Sequence, residues 1–380
     1  MNAAYRCWAE VNLDALRENL HWVRHHVGRR VKVLTVVKGD AYGHGLKQIA
    51  ALLMQSGTDI FGVANLTEAQ HIRSVGRGWP ILLLGACLPD EVETAVVDEV
   101  MPTISSLSEA EAFSRAAVKA GRIVQVHVKV DTGMGRLGVA PGQALELIQQ
   151  VRSLPSLKLA GLYTHYAAAE DDPEFTMVQR KRFQRLVEQL ESRHVHVPLI
   201  HANNSAGLLH EPESMFNLVR CGLIVYGVSP PGSRLPPADF NRRLRPALSW
   251  KTRVGLVKEV SQGTPLSYGH TFTTPRKMRI ATLTVGYADG YLRSGSNRAR
   301  ALIGGRRCPI VGRITMDQML ADVSEVGSLQ AGDEAVLIGA WGQEEITASQ
   351  LADWCGTVPW EILTNITYRV PRLYRGAQAA

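Results

Sequence analysis

Short apolar runs rich in β-branched residues alternate, through the first two-thirds of the chain, with stretches whose apolar residues recur every three or four positions. The first pattern suits strands buried on both faces and the second suits amphipathic helices, so their alternation predicts parallel strands joined by crossover helices. Eight runs qualify as strands: Val31 to Val37, Ile60 to Val63, Ile81 to Leu84, Pro102 to Ile104, Ile123 to Val130, Leu157 to Tyr163, Val197 to His201 and Asn217 to Val219. Helical windows cover Leu46 to Gln55, Ser108 to Ala120, Gln143 to Ser153 and Pro173 to Ser192. An opening helix comes earlier: Asn12 can cap it, and Leu13, Leu16, Leu20, Val23 and Val27 then fall on one face. Eight alternations favour an α/β architecture with a (β/α)8, TIM-like barrel over an open sheet.

The pattern breaks at Pro230-Pro231-Gly232-Ser233 and again at Pro236-Pro237, too rich in proline for either regular element. Beyond the break, strand-like runs at Thr252 to Val260, Arg279 to Val285, Cys308 to Ile314 and Glu334 to Ile338 are separated by glycine turns. No long helix interrupts them, which predicts a C-terminal, mainly β domain.

Composition adds limits rather than direction. A chain of 380 residues that is 45% hydrophobic and 20% charged is an ordinary globular sequence, long enough for two domains. Its 42 basic and 35 acidic residues leave a charge of +7 spread along the chain, which argues against nucleic-acid binding and suits a small acidic ligand. The densest basic group, Arg242, Arg243 and Arg245, sits beside Pro246 and reads as linker decoration. The five cysteines are widely spaced and form no CxxC pair, as expected of reduced thiols. With no basic and apolar leader in Met1 to Trp8 and no uninterrupted apolar span, the expected setting is cytoplasmic, away from any membrane.

In a (β/α)8 barrel the chemistry sits at the carboxyl ends of the strands. Lys38, Arg136, His165, Ser205 and Arg220 follow strands one, five, six, seven and eight, so five polar groups can converge on one mouth. Lys38 by position alone reads either as a strand-end lysine snorkelling to water or as a desolvated amine with a lowered pKa, a nucleophile for carbonyl groups. Ser205 and Gly222 lie where barrels often build a phosphate site from backbone N–H groups. Gly133-Met134-Gly135-Arg136-Leu137-Gly138 matches GxGxxG, but Ser153 to Lys158 holds no carboxylate for a ribose, and the loop reads better as a device that points Arg136 inward. His21 and His25 have i, i+4 spacing without a nearby acid, and His194 and His196 flank a strand start, so no metal site is expected.

The residues around Lys38 carry a resemblance. Val36-Val37-Lys38-Gly39-Asp40-Ala41-Tyr42-Gly43-His44-Gly45 is similar to the cofactor-lysine signature of the alanine racemases. The likeness continues in order through Lys129 to Gly138, Thr164-His165, Asn204-Ser205-Ala206, Arg220-Cys221-Gly222, Ser267-Tyr268-Gly269, Gly286 to Tyr291 and Met316-Asp317-Gln318. It implies a barrel over residues 13–235 and a β domain formed by residues 1–12 and 236–380, the latter contributing to a partner subunit's site.

The resemblance further implies that Lys38 carries pyridoxal 5'-phosphate. Tyr42, the Ser205 hydroxyl and the backbone of Gly222 and Leu223 would bind the phosphate, Arg220 would contact the pyridine nitrogen, and His165 would orient Arg220. A guanidinium only donates, so the nitrogen it faces stays unprotonated and the ring pulls electrons less strongly, which favours returning a proton over losing carboxylate. Racemisation needs a base on each face of Cα. Lys38 and Tyr268 fill these roles in the family pattern, Lys38 for the D-isomer and Tyr268 for the L-isomer. Arg136 and the backbone of Met316 would hold the substrate carboxylate. Tyr268 and Met316 would come from the second subunit, making a homodimer part of the expectation. Lys129 matches a position that is carbamylated in some relatives.

One residue departs from the pattern: Trp360 stands where the family usually has a tyrosine that contacts the phosphate and narrows the entrance. The expected function is interconversion of L- and D-alanine, supplying D-alanine for peptidoglycan. A broader racemase acting for instance on serine, a non-catalytic pyridoxal-phosphate-binding protein and a related decarboxylase are the alternatives. Ser267-Tyr268-Gly269 and Met316-Asp317 argue against the non-catalytic protein, which would lack the β domain.

Overall fold

A computed structural model describes residues 5–210, 216–230 and 244–376. The proline-rich break expected after Pro230 falls mostly outside the described residues. Strand β1 (Cys7–Asn12) leads directly into the opening helix Leu13–Val27, whose first turn is capped by the Asn12 side chain accepting the Ala15 N–H at 3.0 Å. The face predicted for this helix is the buried one, and Asn19 interrupts it without penalty because its amide donates to the carbonyls of Val225 and Arg245 at 3.1 and 2.9 Å.

The strands β2 (Lys32–Val36), β3 (Ile60–Val63), β4 (Ile81–Leu83) and β5 (Val100–Met101) form one parallel run. A second contains β6 (Thr103–Ile104), β7 (Val124–Lys129), β8 (Leu157–Tyr163) and β9 (Leu199–His201), and β10 (Leu218–Cys221) pairs back onto β2. Pro102 separates β5 from β6 because it has no N–H to give, yet its carbonyl still accepts the His127 N–H at 3.0 Å and carries the wall across. The ring closes between β9 and β10 through Asn217 N–H to Ile200 and Arg220 N–H to Asn203. The result is the TIM-like barrel that the alternation predicts. Among the barrel helices that the hydrophobic pattern overlooks, Leu66–Val75 and Val92–Val97 each bury only three residues and so show a narrow apolar stripe, and Ser205–His210 is short.

The second half builds a nine-stranded sheet around β11 (Leu248–Val260), whose first seven residues alternate buried and half-buried as a one-faced strand should. Strand β1 lies beside it, pairing antiparallel with β11 and parallel with the last strand, Arg372–Arg375. The chain's first and last strands thus share one sheet. Just before that last strand, helix Pro359–Asn365 packs against the turn after β2.

Gly43 marks this contact. Its φ is +76°, and a Cβ there would lie 2.1 Å from the Leu363 carbonyl oxygen, a backbone atom that cannot swing aside. Gly43→Ala is therefore expected to cost more than about 2 kcal/mol through combined backbone strain and overpacking. A thermal melt indistinguishable from that of the unaltered chain would contradict the packing described.

Candidate active site

The apolar run of β2 ends at Val37, and the next residues turn the wrong way for an L-amino-acid chain. Gly39, Asp40, Ala41 and Tyr42 have φ/ψ values of 62/46°, 54/47°, 54/50° and 52/43°, a turn of left-handed helix. A residue with a Cβ pays about 1–2 kcal/mol for this conformation, so neighbours must hold it. Glu68 accepts the N–H groups of Gly39 and Ala64 at 2.7 Å each, the Asp40 carboxylate accepts the Leu46 N–H at 2.7 Å, and Arg372 donates to the Gly43 carbonyl at 2.9 Å. The turn presents Lys38 and Tyr42 to a cavity of about 440 Å³ at the carboxyl ends of the barrel strands.

Every barrel residue singled out from the sequence lines that cavity. Lys129 ends β7, Arg136 follows in the loop, His165 comes after β8, Ser205 after β9, and Arg220, Gly222 and Leu223 come from β10 and the segment beyond it. The glycines of the GxGxxG match do not offer N–H groups to a phosphate. Gly133, Met134 and Gly135 all donate to the Asp131 carboxylate at 2.9–3.0 Å, which folds the loop and delivers Arg136 to the cavity.

Four cationic side chains meet here. Desolvation lowers the Lys38 pKa, helped by Arg136, so its amine surrenders its proton more readily than a free lysine. Burial and the neighbouring guanidinium groups of Arg220 and Arg136 bring Lys129 down to about 8. His165 is pushed well below its ordinary value by burial and then by Arg220, which leaves it neutral and able to accept.

Arg220 is 3% exposed and is held by uncharged groups: His201 Nδ1 at 2.9 Å, His165 Nδ1 at 3.1 Å, and the carbonyls of Thr164 and Ala202 at 2.9 and 2.8 Å. The Tyr163 ring lies beneath it, 5.1 Å from the guanidinium carbon, and stacks on His201. His165 was legible as its partner; His201, His127 and Tyr163 were not. The available signal was polar residues inside otherwise apolar strands, His127 and Lys129 sharing the inner face of β7 at a spacing of two.

Ser205 and Gly222 are joined by the Gly222 N–H donating to Ser205 Oγ at 3.0 Å. Glycine is required there because a Cβ would lie 2.5 Å from the Tyr42 hydroxyl. Trp360, on the helix that packs against the Lys38 turn, also lines the cavity and turns its indole toward the same hydroxyl. Tyr268 and Met316 do not join these residues within the chain. They are 72% and 52% exposed on the β domain, with Tyr268 beside a separate shallow depression. Among the described residues no cluster of metal-ligating side chains is present, the five cysteines are unpaired, and no helix is long and apolar enough to cross a membrane.

The fold and the mouth define the class first, a TIM-like barrel with a C-terminal β domain and a lysine at the barrel opening. The description "Alanine racemase, N-terminal domain" fits residues 11–230 and "Alanine racemase, C-terminal domain" fits residues 247–374. The alanine racemase of Halothermothrix orenii is 40% identical over 369 residues, covering 97% of this chain and 96% of its own. The alanine racemase of Bacillus anthracis with bound L-Ala-P superposes with a TM-score of 0.89 at 32% identity, covering 99% of this chain and 96% of that one. That of Bartonella henselae, with covalently bound pyridoxal phosphate, superposes at 0.88 with 28% identity, covering 98% and 100%. The chain belongs to the alanine racemase family, a family of pyridoxal-phosphate-dependent isomerases.

The buried imidazoles make stability sensitive to acid. Burial lowers His44 to about 4 and His127 to about 3, and holds His165 and His201 well below the ordinary value. Below about pH 6.5 the unfolded chain takes up protons that the folded chain refuses, so stability is full above that pH and falls as the pH drops toward the folded values. The expected slope is about 1.4 kcal/mol per pH unit for each such ring. Urea unfolding at about pH 7.5 and about pH 5.5 measures it, and equal or greater stability at the lower pH would refute the assignment of neutral rings.

Proposed function

We propose that this chain interconverts L- and D-alanine, with pyridoxal phosphate held on Lys38 and one base on each face of Cα. The observation that carries the reading is the convergence of Lys38, the Ser205–Gly222 pair and a buried Arg220 without a carboxylate partner, in a chain of this family. The residues suit the cofactor. The Gly222 backbone lies flush against Tyr42, and Ser205 and Tyr42 add hydroxyl groups where an anion would sit. When bound, pyridoxal phosphate supplies an electron-withdrawing ring that acidifies the Cα–H of an attached amino acid.

The remaining work belongs to side chains. Lys38, its proton loosened by burial, takes the Cα proton of the D-isomer and returns one on that face. Tyr268 does the same for the L-isomer from the opposite side. Arg136 holds the substrate carboxylate by charge-assisted hydrogen bonds, with the Met316 backbone as second support. Arg220 would face the pyridine nitrogen and, having only hydrogens to offer, would keep it free of a proton, which would favour return of the proton to Cα over decarboxylation.

Tyr268 and Met316 serve this scheme from a second copy of the chain. Their exposure supports that reading, since a base pointing to solvent outside its own cavity is idle unless a partner's mouth covers it. The domain division at residues 235/236, a point outside the described residues, and the contribution of residues 1–12 to the β domain, described from residue 5 on, belong to the same proposal. Trp360, the one departure from the family pattern, lines the same cavity, so comparing turnover of L-alanine with that of L-serine decides between the strict and the broader racemase. Lys129, lowered to about 8, has a fraction of neutral amine able to attack carbon dioxide; the nitrogen–carbon bond forms, a proton leaves, and a carbamate anion faces Arg136. A ¹³C-bicarbonate carbamate resonance absent from Lys129→Ala checks this. Free thiols support a cytoplasmic setting, and D-alanine for peptidoglycan is the use the product suits.

The test combines two inactive variants. Lys38→Ala is expected to lose the cofactor absorbance band and solvent-deuterium incorporation at Cα of L-alanine, and Tyr268→Phe to lose about 10²-fold or more in rate. Mixed, dissociated and reassociated, they should regain roughly a quarter of the wild-type sites by random pairing, because each heterodimer holds one intact site. No recovery would sink the shared site; racemisation undiminished in Lys38→Ala would sink the whole reading.

A further inference from the structure

The polar structure beneath Arg220 runs deeper than the cavity. Arg220 Nη1 donates to His201 Nδ1 at 2.9 Å, and His201 Nε2 lies 3.0 Å from His127 Nδ1. Both rings are fully buried. A guanidinium has only hydrogens to offer, so His201 Nδ1 must carry none. The single hydrogen of neutral His201 then sits on Nε2 and points at His127 Nδ1, which must accept in turn. His127 is left with its hydrogen on Nε2, a buried atom that finds no hydrogen-bond partner. The opposite order would set two N–H groups against each other.

We infer that His127 and His201 are positioning residues, a two-imidazole relay locked in one tautomeric order by Arg220 that in return fixes the guanidinium facing the cavity. The arrangement is supported on every side. Tyr163 stacks on His201 with ring centroids 4.6 Å apart and planes 5° from parallel, and its hydroxyl is tied to Thr103 at 2.7 Å. His127 packs flat on Gly161, where a Cβ would come 2.2 Å from Nδ1. Arg220 Nη2 is consumed by Thr164, Ala202 and His165. Its Nε–H and second Nη1–H have no acceptor among the described residues and remain for a ligand.

The chemistry explains why imidazoles stand where proteins usually place a carboxylate. A buried guanidinium needs acceptors, and an acid would satisfy it while cancelling its charge. Neutral imidazoles in series accept its hydrogen and leave the full positive charge to act on the group in the cavity. Burial and Arg220 keep both rings unprotonated, so the relay does not add a second cation.

This inference rests on Arg220 facing the cofactor ring, but its first measurement does not. ¹⁵N NMR of histidine-labelled protein, with pyridoxal phosphate bound and without it, is expected to show His127 and His201 as Nε2–H tautomers, His127 being identified by the signals missing from His127→Asn. An Nδ1–H tautomer or an imidazolium at either position would overturn the relay. The second measurement separates positioning from mere packing. In His127→Asn the side-chain oxygen takes the place of Nδ1, and kcat should stay within about twofold; in His127→Leu the His201 N–H loses its acceptor, and kcat should fall about tenfold with KM little changed and cofactor affinity reduced. Equal kcat in the Leu and Asn variants would overturn the proposal. If the Leu variant fails to fold, the tautomers of the unaltered protein and the Asn rescue decide the matter. Absence of racemisation in the unaltered protein would refute the functional reading while leaving the tautomer result intact.

Discussion

Three consecutive residues with side chains, Asp40, Ala41 and Tyr42, are held in left-handed helical geometry directly after the lysine at the barrel mouth. The local sequence helps only at its ends, with Gly39 and Gly43, and at Asp40, so the strain at Ala41 and Tyr42 is held from outside. Glu68 on helix Leu66–Val75 ties down its first N–H, Asp40 caps the helix Leu46–Ser56 that follows directly, and Arg372 near the end of the chain holds the Gly43 carbonyl. Relaxing the turn to right-handed geometry would move Lys38 and Tyr42 apart in the cavity and withdraw the hydroxyl that lies on Gly222. The β domain is therefore more than a lid, since its helix Pro359–Asn365 and strand Arg372–Arg375 belong to the scaffold of the turn.

A second constraint is the concentration of positive charge. Lys38, Lys129, Arg136 and Arg220 share one cavity, in which Glu170 is the one carboxyl among the described lining residues. Lysines respond by losing affinity for their protons, Lys38 through burial and Arg136, and Lys129 through burial, Arg220 and Arg136. Arginine does not have that escape and stays charged, so the barrel surrounds Arg220 with carbonyls, imidazoles and an aromatic face. An anionic ligand that brings a phosphate and a carboxylate into such a site relieves repulsion already present, and the free energy of that relief adds to binding.

Much of the barrel was legible because each strand is a short apolar run between turn signals, and Ile60–Val63 and Leu157–Tyr163 have the bounds read from the sequence. The strand around Pro102 was only half visible, since its first residues precede a proline that breaks the run. Residues at the ends of strands could be picked out by position, which recovered Lys38, Arg136, His165, Ser205 and Arg220. His127 and His201 could not, because a histidine in an apolar strand has the same pattern whether it packs, binds or relays. What distinguishes them is a nitrogen 3.0 Å from another nitrogen across the barrel, between residues 74 positions apart in the chain. Tyr268 and Met316 illustrate the converse, being recognisable by resemblance while their positions in a single chain explain nothing about the cavity.

The pairing of the first strand with the last has a consequence in time. A chain emerging from the ribosome exposes the barrel segments long before helix Pro359–Asn365 and strand Arg372–Arg375 exist, and domains fold in that order. Until those downstream pieces arrive, Cys7–Asn12 can pair with β11 on one edge only, and the left-handed turn after Val37 lacks the Arg372 and Leu363 contacts that help hold it. The amine that would bond to an aldehyde is therefore among the last features of the molecule to be completed, and a truncated or stalled product would possess a barrel without a finished lysine.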